Sequence, residues 1–115
     1  MAACYSPNGE NPGKAILPFD IETGRLIEDE WARWLAWDPV RMALRHGDAF
    51  AGMKRIYLDA GKSDEWFLDL GATAFAKELS ELGVEYTLDL FDGTHGGIQY
   101  RYSGAIAELA RALAP

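Results

Sequence analysis

The chain has 115 residues, enough for one compact domain and too few for two. Some 49% of them are apolar, including four Trp, five Phe and five Tyr, which fits a folded core and excludes a disordered segment. Against 18 acidic residues stand 11 basic ones, a net charge of −7. With no Lys/Arg cluster, that balance excludes nucleic acid as an expected partner.

The single cysteine, Cys4, allows no internal disulfide and no zinc site built on cysteine pairs. No secretory-type apolar segment follows Met1, and no apolar run is long enough to span a bilayer. The expected compartment is therefore the cytoplasm, with no membrane partner.

In chain order, Ala2-Ala3-Cys4-Tyr5 reads as a buried strand, and Ser6 to Gly13, rich in Pro, Asn and Gly, as a loop. Ile16-Leu17-Pro18-Phe19 is a short apolar patch, and Glu22-Thr23-Gly24 a turn. From Ile27 to Trp37 the pattern is helical, with Trp31, Trp34 and Leu35 on one face. Asp38-Pro39 has the form of an N-cap followed by proline at the first helical position. That helix should stop near His46-Gly47, with the glycine at C′.

Ile56-Tyr57-Leu58 reads as an inner strand ended by Asp59-Ala60-Gly61. Leu68, Ala72, Phe75, Ala76, Leu79 and Leu82 repeat at helical spacing, and Gly83 stops that helix. Val84 to Phe91 alternates as a strand, Gly93 to Gly97 is a glycine-rich loop around His95, and Ile106, Leu109, Ala110 and Leu113 mark a final amphipathic helix. Strand, helix, strand, helix in this order predicts an α/β fold with parallel strands joined by a right-handed crossover.

Two loops carry the chemistry. Gly61-Lys62-Ser63-Asp64 follows one strand, and Asp92-Gly93-Thr94-His95-Gly96-Gly97 follows the next. In a parallel sheet both lie at the carboxyl ends of neighbouring strands, where such sheets place their sites. There a carboxylate can accept the Nδ1 proton of a histidine, fix its tautomer and stabilise the imidazolium formed when Nε2 takes a proton. Asp64 is the candidate acid and His95 the candidate base.

Structural readings stand beside these. Asp64 could N-cap the helix that begins near Trp66, and one carboxylate could serve both ends. His95 could be a solvated loop residue. His46 fits a helix end, the tryptophans fit core or interface, and Cys4 fits a small buried position.

The stretch Tyr57 to Glu65, then a helix, a strand and Phe91-Asp92-Gly93-Thr94-His95, resembles the esterase-D and enterochelin-esterase type of serine esterase in the α/β-hydrolase superfamily. In that family G-x-x-D before a helix holds the triad acid, and a histidine in an F-x-G-x-H loop after the next strand is the triad base. The resemblance implies Asp64 as acid and His95 as base. The segments Cys4 to Pro7, Leu17 to Asp20 and Trp34 to Pro39 are similar to the region between nucleophile and acid. It further implies a single truncated domain over 1–115, with a strand, loop and Trp-rich helical segment at 1–54 and the strand–helix–strand–helix part at 55–115. The implied architecture is a partial α/β-hydrolase fold of about three mostly parallel strands with flanking helices, completed by dimerisation.

The chain departs from the family pattern at the nucleophile. Ser6, Ser63, Ser80 and Ser103 all lack the G-x-S-x-G strand–turn–helix context. The family's oxyanion donors come from that elbow and an earlier loop, and losing such donors costs on the order of 10²–10³ in rate. Three functions follow as expectations. The first is a weak hydrolase of activated small-molecule esters with His95 as general base, needing no cofactor. The second is an inactive fragment or interaction domain that pairs with a missing N-terminal half of a serine esterase. The third is a metal-dependent hydrolase in which His95 or His46 joins Asp48, Asp64 or Asp92. Unpaired strand edges and uncovered apolar surface make a homodimer the expected partner state.

Overall fold

A computed structural model describes residues 2–11 and 13–114. The chain divides into two compact units, Met1–Met42 and Ala43–Pro115.

The first unit is built from short-range turns and two helices. Ala2–Tyr5 forms a helical turn, α1, and not the strand expected of it. An extended segment needs a neighbour to take its N–H and C=O groups. Among the described residues no strand pairs with this one, and a helical turn satisfies those groups locally. Two isolated antiparallel bridges, Pro7 with Ala15 and Phe19 with Leu26, fold back the intervening loops. Helix α2, Glu28–Ala36, matches the expected Trp-bearing helix. Its first turn carries Glu28, Asp29 and Glu30, which complement the positive helix end. Trp34 stacks on Tyr5 with ring centroids 5.2 Å apart, and its indole N–H donates to the Ile16 carbonyl at 3.3 Å. Ser6 is buried and donates to Glu30 at 2.6 Å.

Helix α3, Pro39–Arg45, begins as the Asp38-Pro39 pair requires, with Asp38 Oδ1 accepting the Val40 N–H at 3.1 Å. Its end differs from expectation. Gly47 does not close the helix in a left-handed C′ conformation; it opens a 3₁₀ turn, Gly47–Phe50.

The second unit holds the sheet. Strand β1, Tyr57–Gly61, pairs in parallel with β2, Thr87–Phe91, through helix α4, Leu68–Glu81. The 3₁₀ turn Ile98–Arg101 and helix α5, Tyr102–Leu113, follow. Asp59-Ala60-Gly61 belongs to β1 and does not terminate it. The sheet has two strands among the described residues, where about three were expected, because Ala2–Tyr5 is helical. For the same reason β1 is an edge strand and not an inner one.

Strand alternation sorts the side chains into two faces. Leu58, Ala60, Leu88 and Leu90 share the apolar one, and α4 packs on both strands with Ala76 and Leu79 buried. Tyr57, Asp59, Thr87 and Asp89 share the other. Gly83, with φ +70°, ends the α4 region as expected. One further expectation is corrected, since Cys4 is exposed and not buried. Of the core or interface positions expected for the tryptophans, the core is not where they lie: none is buried, and Trp66 is 70% exposed. No described helix is long and apolar enough to cross a membrane.

Candidate active site

The parallel register puts Gly61 beside Phe91, so the two loops leave the sheet side by side. Gly61 makes their approach possible. A Cβ built there would clash with the Gly93 carbonyl oxygen, a backbone atom that yields only if the two loops part. Across this contact the Lys62 N–H donates to the Phe91 carbonyl and the Ser63 N–H to the Gly93 carbonyl, each at 2.9 Å. Lys62 Nζ also pairs with Asp92 at 3.0 Å, although both groups are largely in water.

From Gly61 the chain turns tightly. The Asp64 N–H donates to the Gly61 carbonyl at 3.0 Å, and the Phe67 N–H to the Asp64 carbonyl at 3.1 Å. Phe67 then takes a left-handed conformation, φ 57°, as the residue before α4. A non-glycine side chain is strained there.

This turn and the histidine loop bring the two expected site residues together. His95 Nδ1 lies 3.2 Å from Asp64 Oδ2. Oδ1 of the same carboxylate accepts the Trp66 N–H at 2.8 Å. One oxygen thus faces the His95 ring and the other holds a backbone N–H of the turn, but Asp64 is not the N-cap of the helix, a position that Phe67 takes. The capping is displaced from expectation, since α4 starts at Leu68 and Asp64 holds the turn before it.

The pair is polarised by burial. The Asp64 side chain is only 3% exposed, whereas the His95 side chain is 51% exposed. Burial pushes the Asp64 carboxyl up, but backbone N–H donors from Trp66 and Leu68, with the His95 ring, outweigh it and hold the carboxyl below its ordinary value. Asp64 is thus a fixed anion at neutral pH. An anion facing Nδ1 favours the tautomer with its proton on that nitrogen and leaves Nε2 with a lone pair. Among the described residues Nε2 has no hydrogen-bond partner.

Glu65 was not anticipated. Its carboxylate accepts the His95 backbone N–H at 3.1 Å, so consecutive acidic residues hold the backbone and the ring of one histidine. Its own N–H and that of His95 keep the Glu65 carboxyl below its ordinary value. A cavity of about 140 Å³ adjoins the pair, with Ala60, Leu68, Phe91 and Ile98 as its apolar wall.

A second cluster, also unanticipated, lies on the polar face of the sheet. Asp59 and Asp89 are register partners, which sets two carboxylates directly across the strand pair. Arg101 joins them: its Nε donates to Asp59 at 3.0 Å, and its Nη2 donates to Asp89 and, at 3.3 Å, to the Tyr57 hydroxyl. Those carboxylates raise the guanidinium further above its ordinary value. A signal for this cluster exists in the sequence. Both strands carry Leu-Asp at the same offset from their loops, and paired like charges need a cation between them.

His46, Asp48 and Asp92, weighed as metal ligands, join no such set. Among the described residues no group of three or more His, Cys, Asp or Glu side chains is placed to hold a metal ion. Comparison with protein-family models and with curated protein sequences finds no match for the chain.

Proposed function

We propose that the chain is a weak hydrolase of small activated esters in which Asp64 orients His95 and His95 acts as general base on water. The observation that carries this reading is the 3.2 Å contact between Asp64 Oδ2 and His95 Nδ1 at the carboxyl ends of two parallel strands. Nε2 takes a proton from water as the oxygen attacks the ester carbonyl. The tetrahedral intermediate then expels the alcohol, which takes the proton back from the imidazolium. Water and ester are consumed, and acid and alcohol released. Asp64 stays ionised and stabilises the imidazolium between the two transfers. The resemblance to serine esterases of the α/β-hydrolase superfamily supports the same roles for these residues. Slow turnover is part of the reading, because the chain carries no G-x-S-x-G elbow to supply a nucleophile and its oxyanion donor.

The test is hydrolysis of an aryl acetate by the purified chain beside His95→Ala and Asp64→Ala. Both substitutions should remove the activity. Full activity in both would end the reading.

A second reading, an interaction domain that pairs with a further copy or with the nucleophile-bearing half of an esterase, has its own observation. Tyr102, Ile106, Leu109 and Leu113 recur at helical spacing along α5 and are 53%, 64%, 39% and 73% exposed. Such a stripe suits a homodimer in the cytoplasm. A sedimentation mass equal to one chain at micromolar concentration would remove the homodimer.

A further inference from the structure

The histidine loop is held at its entrance by Gly61, Lys62 and Ser63, and these contacts reach the backbone of Gly93 and Thr94, short of His95 itself. His95 itself is held by two acidic residues, one on its ring and one on its N–H. Beyond it come Gly96 and Gly97, the latter at φ +70°, and glycine gives the backbone the most freedom to move. A loop with a glycine exit needs an anchor past that exit if the ring is to keep its place.

Arg101 sits at that position, four residues after Gly97 and at the end of the 3₁₀ turn. It grips the sheet at four points. Asp59 on β1 and Asp89 on β2 accept from its guanidinium, and so does the Tyr57 hydroxyl. The guanidinium also lies over the Phe91 ring, 4.3 Å from its centroid. Tyr100 adds an edge contact to that ring at 6.3 Å. Phe91 in turn lies against Gly93, where an added Cβ would fall 2.7 Å from the ring. Phe91 therefore touches the loop at its entrance and, through Arg101 and Tyr100, at its exit. Asp59 and Phe91 also line the cavity beside the Asp64–His95 pair.

We infer that Arg101 is a positioning residue for His95, clamping the exit of the histidine loop to both strands so that the ring stays on Asp64. The inference rests on the proposed role of the pair. It assigns Arg101 no contact with substrate. The fork geometry matters, since one planar guanidinium meets two carboxylates and a ring face at once, which a lysine ammonium does not.

The test uses nitrogen-15 NMR of the full chain, which reports the protonation of each ring nitrogen, together with aryl acetate hydrolysis. Three variants separate clamp from charge. Arg101→Gln removes the clamp and leaves Asp59 facing Asp89. Arg101→Lys keeps the charge without the fork. The triple variant Asp59→Asn, Asp89→Asn, Arg101→Gln removes clamp and repulsion together. In all three the His95 signals should move from a single Nδ1-protonated form toward the exchanging mixture of a free imidazole, least in Arg101→Lys. Hydrolysis should fall by up to about a hundredfold in the triple variant, the scale of a small misplacement of a reacting group. The His46 signals serve as the internal control and should stay in place. Unchanged His95 signals in the folded triple variant would overturn the inference. Unfolding of all three variants would overturn it as well, because the cluster would then hold the fold and not the loop. Failure of the hydrolase reading is seen separately, as activity that survives His95→Ala.

Discussion

The two charged clusters of the second unit are built from the same kinds of group and differ in what they leave over. On the polar face of the sheet, Arg101 is engaged by Asp59, Asp89 and Tyr57. At the strand ends, the Asp64 oxygens are engaged by the Trp66 N–H and the His95 ring, but His95 meets Asp64 through one nitrogen only. The first cluster is closed on itself. The second ends in a half-exposed imidazole. Closure suits a clamp, and an open nitrogen beside a fixed anion suits a base.

The sharpest way to break this comparison is to remove the open group. His95→Ala should lower aryl acetate hydrolysis by about 10²–10⁴, the usual share of general base catalysis. Its urea midpoint should correspond to a loss of about 1–3 kcal/mol, because the buried Asp64 Oδ2 is left without its partner. A loss well beyond that range would make His95 a structural residue instead.

Next comes the contact that both loops share. Gly61→Ala puts a methyl group into the Gly93 carbonyl. The loops must part, at a cost of about 1–3 kcal/mol typical of overpacking. Denaturant unfolding measures the cost, and hydrolysis should fall with it.

A third test uses acid. The Asp64 and Glu65 carboxyls lie below their ordinary values of 3.8 and 4.5 when folded. Below those values the unfolded chain binds more protons than the folded one, so stability rises with pH there. Their contribution is present above the ordinary values and is lost as pH falls through them toward the lower folded values. Urea midpoints taken from about pH 6 down to about pH 3 should fall less steeply in Asp64→Asn and in Glu65→Gln than in the parent. Equal slopes would mean that neither carboxylate is held by the fold.

The smallest expected effect is at Phe67. The residue is 69% exposed and its φ is positive, so Phe67→Gly loses little packing and relieves strain. A gain of up to about 1 kcal/mol is expected, read as a raised melting temperature. A loss would show that the ring has a packing role.

How far the sequence carries this account differs by region. The α4 helix, both parallel strands and the placement of Asp64 and His95 follow from local patterns: apolar spacing, a stop glycine, and loops at like ends of successive strands. The opening segment fails for the opposite reason. Ala2 to Tyr5 has a strand's composition, but strand formation depends on a partner, and composition carries no record of one. The strand limits shift for a related cause, since pairing with β2 draws Asp59, Ala60 and Gly61 into β1. Arg101 escapes a reading of spacing because it lies in a turn. Its role emerges only once the register sets Asp59 against Asp89. Glu65 is hidden for a simpler reason, since neighbouring acids in a turn give no sign of which will face a distant N–H.

The central claim is that Asp64 holds the His95 proton on Nδ1 and leaves Nε2 to accept another. Nitrogen-15 NMR of the neutral His95 ring tests this most directly. The ring should be predominantly Nδ1-protonated in the parent chain and lose that preference in Asp64→Ala. A ring protonated mainly on Nε2 in the parent, or a preference untouched by Asp64→Ala, would contradict it.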